Sequence, residues 1–328
     1  MSAPIAILGA GAWGTALAIA LARDDGPVRL WARRADHAGW LQQSRHNDAY
    51  LPGARLPDSV TVTNDLDQAT NDASVLLVVT PAQHVAGLLQ QLKRGDAPLL
   101  LCAKGIERGS GRLLTEVARE LAPSRALAVL SGPTFADEVA AGKPTAVTIA
   151  SDDDPLAASL VARIGSPSFR PYRSPDPIGV EVAGACKNVI AIACGLAIGA
   201  GLGENARAAL LTRGLAETTR LGLALGGRPE TFAGLAGLGD LALTATSPRS
   251  RNYALGLALG EGATLDELMR GRSSVVEGAA TAGAALLRAN RHSVELPIAQ
   301  AVADIIEGRA TIRDAMRGLL ARPFKAEG

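Results

Sequence analysis

The sequence predicts an α/β protein: an N-terminal doubly wound sheet followed by a C-terminal domain that is all helical. Two observations support this fold class. Up to about Tyr172, short β-rich runs alternate with helical ones, which is typical of a mostly parallel sheet. After the turn-forming segment 174–177 the strand pattern stops, and Ala, Leu and Gly recur with helical periodicity. The expected domains are residues 1–175 and residues 176–328.

Each predicted element follows from a local pattern of apolar residues. The predicted strands are Ile5–Leu8, Val28–Ala32, Val75–Val79, Leu99–Cys102, Leu127–Leu130, Ala146–Ala150 and Phe169–Tyr172. The second half has helical periodicity at Ala206–Leu225, Leu255–Leu259, Ala279–Leu287 and Ile298–Ile306. A long apolar stretch at 179–202 contains charged side chains, so a central buried helix explains it better than a membrane span.

A glycine-rich turn follows the first predicted strand. Residues 9–14 read GAGAWG and lead into a helix-forming stretch at 15–23. Gly9 would permit the tight turn, Gly11 would let the backbone approach a pyrophosphate, and Gly14 would let the helix pack closely on the strand. This order of strand, turn and helix predicts a Rossmann-type dinucleotide-binding domain, with an ordinary βα turn as the alternative.

The end of the second strand bears on which dinucleotide binds. Arg33 and Arg34 stand where an NAD-specific enzyme usually carries Asp or Glu. A guanidinium suits a 2′-phosphate, so Arg33 favours NADPH, with NADH as the second choice. The alternative is that the two arginines are solvated charges, and this alternative is stronger for Arg34.

Composition limits the remaining classes of function. The formal net charge of +1 over 328 residues gives no reason to expect nucleic acid as a partner. No signal-like segment precedes the first strand, and the three cysteines lie in apolar runs, so we expect a cytoplasmic protein with reduced thiols. Four scattered histidines have no metal-ligand spacing, and we expect no metal.

Lysine usage singles out two candidate catalytic residues. Only five of the 33 basic residues are lysines. Lys104 follows a strand end, where ligands bind in such sheets, and Lys187 interrupts an apolar helix. Unlike arginine, lysine releases a proton readily when it is buried. We expect the site in a cleft between the two domains.

Several motifs, in this order, resemble the bacterial NAD(P)-dependent glycerol-3-phosphate dehydrogenases nearly from end to end. The matching segments are GAGAWGTALA at 9–18, KGIE at 104–107, SGPTFA at 131–136, KNVIA at 187–191, GLAGLGDL at 234–241, SRN at 250–252 and VEG at 276–278. The glycine fingerprint occurs in many dehydrogenases, whereas the Lys-Asn, Gly-Leu-Gly-Asp and Ser-Arg-Asn segments are more specific.

The resemblance implies reversible reduction of dihydroxyacetone phosphate to sn-glycerol 3-phosphate, which feeds glycerophospholipid synthesis. Lys187 would be the proton donor and acceptor, with Lys104 and Asp240 as further catalytic residues. Lys104 would lower the pKa of Lys187 and Asp240 would raise it, and which effect is larger stays open. The implied substrate contacts are Lys104, Gly132, Thr134, Lys187, Asp240, Ser250, Arg251 and Asn252.

The same resemblance implies cofactor contacts in both halves of the chain. They are Gly9, Gly11, Ala12, Trp13, Gly14, Arg33, Lys104, Ala136, Arg251, Val275 or Val276, and Glu277. Lys104, Glu277 and Asp240 also have structural alternatives: Lys104 as a structural lysine at a strand end, Glu277 as a helix cap, and Asp240 as an N-cap after Gly239.

Two competing functions stay open. One is a dehydrogenase of the β-hydroxyacid type, which also pairs a Rossmann domain with a helical domain and a catalytic lysine. The other is a nucleotide sensor without turnover. The apolar helical domain and the resemblance favour a homodimer, and feedback inhibition by glycerol 3-phosphate is also open.

Overall fold

The computed structural model describes residues 3–22, 26–270 and 277–324. The chain forms two compact units. The first comprises Met1–Lys104 and Leu113–Glu181, and the second comprises Gly105–Arg112 and Val182–Gly328. Relative to the predicted boundary, residues 105–112 join the second unit and residues 176–181 join the first.

The first unit is built on an eight-stranded sheet of order β10-β9-β8-β7-β6-β1-β2-β5. All neighbouring strands are parallel except β8 and β9, and β3 and β4 form a separate antiparallel pair. The strands are β1 Ile5–Leu8, β2 Val28–Trp31, β3 His46–Asn47, β4 Leu51–Arg55, β5 Val60–Thr63, β6 Val75–Val78, β7 Leu99–Leu101, β8 Leu127–Ser131, β9 Thr145–Ala150 and β10 Phe169–Ser174. The chain order reverses between β1 and β6, the point in such sheets where ligands bind beyond the strands' carboxyl ends.

Helices cover both faces of this sheet, as the doubly wound prediction requires. Because side chains alternate along a strand, Ile5 and Ile7 of β1 enter one apolar core while Ala6 and Leu8 enter the other. The helices are α1 Ala12–Leu21, α2 Ala35–Ser44, α3 Leu66–Thr70, α4 Val85–Leu89, α5 Leu114–Leu121, α6 Ala136–Ala140 and α7 Asp154–Ile164. The fold class and all seven predicted strands of the sheet are confirmed.

Apart from residues 105–112, the described part of the second unit consists of helices and their connections. Its helices are α8 Pro177–Gly199, which begins in the first unit, α9 Gly203–Ala224, α10 Pro229–Ala233, α11 Asp240–Thr246, α12 Arg251–Gly260, α13 Leu265–Met269, α14 Glu277–Arg291, α15 Pro297–Ile306 and α16 Ile312–Leu320. Among the described helices, α8 is long and apolar enough to cross a membrane, but 89% of its most apolar stretch is buried inside the protein. That burial is what a central core helix requires.

Glycines bring α8 and α12 into close contact. A Cβ atom added to Gly195 would lie 2.1 Å from the carbonyl oxygen of Tyr253. One added to Gly256 would lie 2.1 Å from the carbonyl oxygen of Ile192. Because neither helix has a side chain at these points, their backbones touch, and this contact fixes Lys187 on α8 relative to the start of α12.

Glu217 of α9 is a buried carboxylate that caps another helix. Its two oxygens accept hydrogen bonds from the amide of Ile298 at 2.9 and 3.1 Å, in the first turn of α15. The residue that precedes this helix, Leu296, supplies no side-chain cap. Burial nevertheless raises the pKa of Glu217 from 4.5 to about 7, against the effect of its backbone hydrogen bonds.

This shift predicts a pH dependence of stability. The protonated carboxyl is favoured in the folded state, so its stabilisation is complete below pH 4.5 and is lost as the pH rises through 7. The full effect is about 3 kcal/mol, from the size of the shift. The variant Glu217→Gln should therefore lose less unfolding free energy than the wild type between pH 4.5 and 7, measured by urea denaturation.

Two other glutamates bear on the interpretation of this pH dependence. Glu181 is also buried, and its pKa is also raised to about 7, so part of the slope should persist in Glu217→Gln. The exposed Glu230 of α10 offers a matched control, and Glu230→Gln should keep the wild-type slope. A wild-type slope in Glu217→Gln would contradict the prediction.

Candidate active site

The glycine turn of the first unit has the geometry that the sequence predicts. Gly9 has a φ of +133°, a conformation that side chains rarely allow. A Cβ atom on Gly14 would lie 1.8 Å from the carbonyl oxygen of Gly9, so the helix can approach the turn only with glycine there. A Cβ atom on Gly11 would meet nothing within 4 Å, which leaves open space beside the turn.

The residues around the turn fit a dinucleotide. Helix α1 begins at Ala12, and Gly11, its N-cap, provides no side-chain oxygen to its first N–H groups. Those N–H groups and the helix dipole favour an anion. The ring nitrogen of Trp13 and the hydroxyl of Thr80 are buried without hydrogen-bond partners in the described structure. Buried polar groups of this kind normally have partners, so these two are suited to bind a polar ligand.

Arg33 and Arg34 follow β2 and are both exposed. The Nε atom of Arg34 lies 3.7 Å from a carboxylate oxygen of Asp36 in the first turn of α2. Arg34 thus has a local ion-pair partner on its own helix.

The ends of β7 and β8 bring three of the implied residues of the first unit together. Lys104 is half-buried, and its Nζ atom donates a hydrogen bond to the carbonyl oxygen of Gly132 at 3.0 Å. The Thr134 hydroxyl donates to the same oxygen at 3.3 Å. Gly132 has a φ of +145°, and a Cβ atom there would lie 2.9 Å from the Cα of Val147, so only glycine fits this turn. Ala136 begins α6, which packs against α1.

In the second unit, Lys187 lies in a buried polar cluster. Its Nζ atom donates to Oδ1 of Asp240 at 2.5 Å and to the hydroxyl of Thr244 at 2.9 Å. Lys187, Asp240 and Thr244 are 8%, 0% and 6% exposed, so the ammonium and the carboxylate are both withdrawn from water. A buried lysine charge is tolerated only when it is paired and hydrogen-bonded in this way.

The glycine-rich segment before Asp240 forms one π-helical turn, Leu235–Gly239. A Cβ atom on Gly237 would lie 2.2 Å from the carbonyl oxygen of Phe232, so the turn closes tightly on α10. Such π turns are frequent at functional sites. Asp240 stands in the first turn of α11, but its Oδ1 atom receives the hydrogen bond from Lys187.

Thr244 was not among the residues predicted from the sequence. It stands four residues after Asp240 on α11, so the two side chains share one face of that helix. That spacing was the available signal, but it becomes meaningful only once Lys187 is known to face α11.

The three residues at the start of α12 have different environments. Ser250 is the buried N-cap, and its hydroxyl accepts from the amide of Tyr253 at 3.3 Å. Arg251 is exposed. The Asn252 amide donates to Oδ1 of Asn188 at 2.9 Å, and its oxygen accepts from the amide of Gly278 at 3.0 Å. Asn252 thereby links α12 to α8 and α14.

Glu277 is half-buried and is the first residue of α14. Val275 and Val276, predicted as cofactor contacts, lie outside the described residues.

Comparison with known proteins identifies the family. Residues 4–157 match the family described as NAD-dependent glycerol-3-phosphate dehydrogenase N-terminus, and residues 176–317 match the corresponding C-terminus. A glycerol-3-phosphate dehydrogenase [NAD(P)+] of Parvibaculum lavamentivorans is 53% identical over 98% of this chain and 98% of its own. One from Sphingopyxis alaskensis is 52% identical over 98% of this chain and 97% of its own.

The fold leads to the same family. A crystal structure of glycerol-3-phosphate dehydrogenase from Coxiella burnetii matches with a TM-score of 0.94 and 40% identity, over 98% of this chain and 99% of that one. Both halves of the sequence and the arrangement of its elements therefore agree, and the chain belongs to the NAD-dependent glycerol-3-phosphate dehydrogenase family.

Proposed function

We propose that the protein reduces dihydroxyacetone phosphate to sn-glycerol 3-phosphate, reversibly, with a nicotinamide dinucleotide. The observation that carries this proposal is the buried Lys187–Asp240 pair, found in a chain whose relatives bear the name of this dehydrogenase over their full length. The product would serve glycerophospholipid synthesis as the precursor of the head group.

A nicotinamide dinucleotide held at the glycine turn would supply a hydride for the carbonyl carbon of the substrate. Negative charge then develops on the carbonyl oxygen, and the ammonium of Lys187 donates a proton to it, giving the secondary alcohol. In the oxidative direction the neutral amine takes that proton back. Asp240 and Thr244 hold Nζ by two hydrogen bonds and so restrict the direction in which it presents its remaining proton.

The other implied residues have supporting roles in this proposal. Lys104, held by the carbonyl of Gly132, would stabilise the negative oxygen electrostatically. Gly132, Thr134 and Ser250 would contact the substrate, and Asn252 would do so through the amide hydrogen that Asn188 does not take.

An assay of dihydroxyacetone phosphate reduction with NADPH and NADH in parallel tests the function. Turnover is expected with both, and more efficiently with NADPH. If a hydroxycarboxylate is oxidised and dihydroxyacetone phosphate is not reduced, the protein is instead a β-hydroxyacid-type enzyme. Binding of cofactor without any turnover would point to a nucleotide sensor.

Arg33 carries the proposed preference for NADPH. Its guanidinium is exposed just after β2 and suits the 2′-phosphate that distinguishes NADPH from NADH. We expect Arg33→Ser to raise KM for NADPH about tenfold, the effect of one charge-assisted hydrogen bond, while KM for NADH stays unchanged. Arg34→Ser is the matched control, since Arg34 has Asp36 beside it. Equal losses for both cofactors in Arg33→Ser would contradict this role.

Arg251 is proposed to bind the phosphate of the substrate, with cofactor contact as a second role. It is exposed at the first residue of α12, and its planar fork matches phosphate oxygens. Arg251→Ala should raise KM for dihydroxyacetone phosphate by about 10- to 100-fold, because charge-assisted hydrogen bonds are lost. Arg313→Ala, at an exposed arginine of α16, is the control. An unchanged KM in Arg251→Ala would exclude the phosphate contact.

We further propose a cytoplasmic homodimer. The buried free thiols of Cys102, Cys186 and Cys194 support a reducing compartment. The exposed side chains of Leu320 and Phe324 near the C-terminus support association between copies. Light scattering coupled to size-exclusion chromatography measures the mass directly.

A further inference from the structure

Asn47 holds the glycine turn from outside the dinucleotide-binding motif. It lies on β3, in the two-stranded ribbon that follows α2, and is only 1% exposed. Its Nδ2 atom donates to the carbonyl oxygen of Ala10 at 3.0 Å and to the hydroxyl of Thr15 at 2.6 Å. Ala10 stands inside the turn and Thr15 in the first turn of α1, so one amide bridges the turn and the helix after it.

The turn needs such an external contact. Three of its six residues are glycines, which lose more conformational freedom on ordering than any other residue. Trp13 is the only large side chain in the turn, so few side-chain contacts within the turn hold its backbone in place. The external contact comes from Asn47, which lies 37 positions away from Ala10 in the sequence.

Only a side chain with a hydrogen-bond donor satisfies this position. The carbonyl oxygen of Ala10 is an acceptor, so a carboxylate in place of the amide would bring two acceptors together. The Oδ1 atom of Asn47 is buried and has no partner among the described residues. Both hydrogen bonds come from the NH2 group, and because the Ala10 carbonyl can only accept, the nitrogen side of the amide must face it.

We propose that Asn47 is a positioning residue for the cofactor: it preorganises the glycine turn in the conformation that receives the pyrophosphate. A turn that is already ordered has less entropy to lose when the dinucleotide binds, so its affinity is higher. This rests on the proposed function only in that the turn binds a nicotinamide dinucleotide.

The test measures the Kd of NADPH and of NADH by fluorescence titration without substrate, alongside steady-state kinetics. Asn47→Leu keeps the branching of the side chain at Cγ but removes both hydrogen bonds, and should raise both Kd values about tenfold. At saturating cofactor, kcat and KM for dihydroxyacetone phosphate should stay at the wild-type values, which a general loss of structure would not allow. Asn71→Leu, at an exposed asparagine of the same unit, is the matched control.

Asn47→Asp shows whether added charge alone can weaken cofactor binding, because it places a negative group near the turn. If Asn47→Asp raises the Kd values and Asn47→Leu does not, the loss of affinity comes from repulsion between the carboxylate and the cofactor phosphates, and the proposal is overturned. If Asn47→Leu does not fold, Thr15→Val removes one of the two acceptors and should raise the Kd values about threefold. Wild-type Kd values in the variant that folds overturn the proposal.

These outcomes stay separate from a failure of the proposed function. A wild-type protein that binds NADPH but does not reduce dihydroxyacetone phosphate would refute the proposed reaction. The effect of Asn47 on the Kd values would still be measurable in that case, because the titration contains no substrate.

Discussion

Replacing Lys187 with arginine is expected to lower kcat for dihydroxyacetone phosphate reduction by about 10²- to 10⁴-fold, the usual contribution of a positioned general acid. Arginine keeps the positive charge beside Asp240 but stays protonated at any working pH, so it cannot transfer a proton. The Kd of NADPH should stay nearly unchanged, since the glycine turn belongs to the other unit. Steady-state kinetics and a cofactor titration measure the two quantities separately.

The chain offers a matched control for this change. Lys93 also pairs with an aspartate, its Nζ atom lying 2.6 Å from Oδ2 of Asp67, but both side chains are largely exposed. Lys93→Arg should therefore leave kcat at the wild-type value. Retained turnover in Lys187→Arg would show that another group supplies the proton, and the role proposed for Lys187 would be wrong.

Replacing Asp240 with asparagine should have the largest effect on stability. The change removes the carboxylate that lies 2.5 Å from the Lys187 ammonium, while both positions stay buried. Removing one partner of a buried ion pair typically costs about 3–5 kcal/mol, because the other charge stays in a region that water cannot solvate. Urea denaturation should show this loss of unfolding free energy, and turnover should fall as well, because Nζ loses its orientation.

A double variant distinguishes the charge from the packing. Lys187→Met together with Asp240→Asn leaves no buried charge at this site, so most of the unfolding free energy should return while activity stays absent. Asp67→Asn, at the exposed pair, should change stability by less than about 1 kcal/mol. If Asp240→Asn is as stable as the wild type, breaking the Lys187–Asp240 ion pair does not cost the expected free energy of unfolding.

Local patterns predicted most of the first unit. The glycine turn follows an apolar strand directly, and Gly9 and Gly14 each meet a steric requirement that involves residues close in sequence or the next strand of the sheet. Strands β3, β4 and β5 were not predicted. The Pro52 and Gly53 of β4 are typical of turns, and β5 is a short run of alternating valine and threonine at the edge of the sheet.

Contacts between distant residues could not be predicted in the same way. Glu217 caps a helix that begins 80 residues later in the sequence, and Asn47 reaches back 37 residues to Ala10. Neither residue belongs to a recognisable motif. The sequence pattern around each of them predicts only the helix or strand on which it lies, and not the distant residue that it contacts. Asn252 is part of a motif, but its bonds to Asn188 and Gly278 depend on how closely α8, α12 and α14 pack.

Sequence patterns and motifs were sufficient for the family, the doubly wound sheet and the helical second half, and they singled out Lys104, Lys187, Asp240 and Arg251 as candidate site residues. These inferences rest on periodicity and on short motifs, both of which are local. The burial of Lys187 and its hydrogen bonds to Asp240 and Thr244 became visible only in the folded chain, as did the hydrogen bonds of Asn47 to Ala10 and Thr15. Those facts depend on which distant side chains become neighbours when the apolar faces are buried, and this is a property of packing rather than of any single segment.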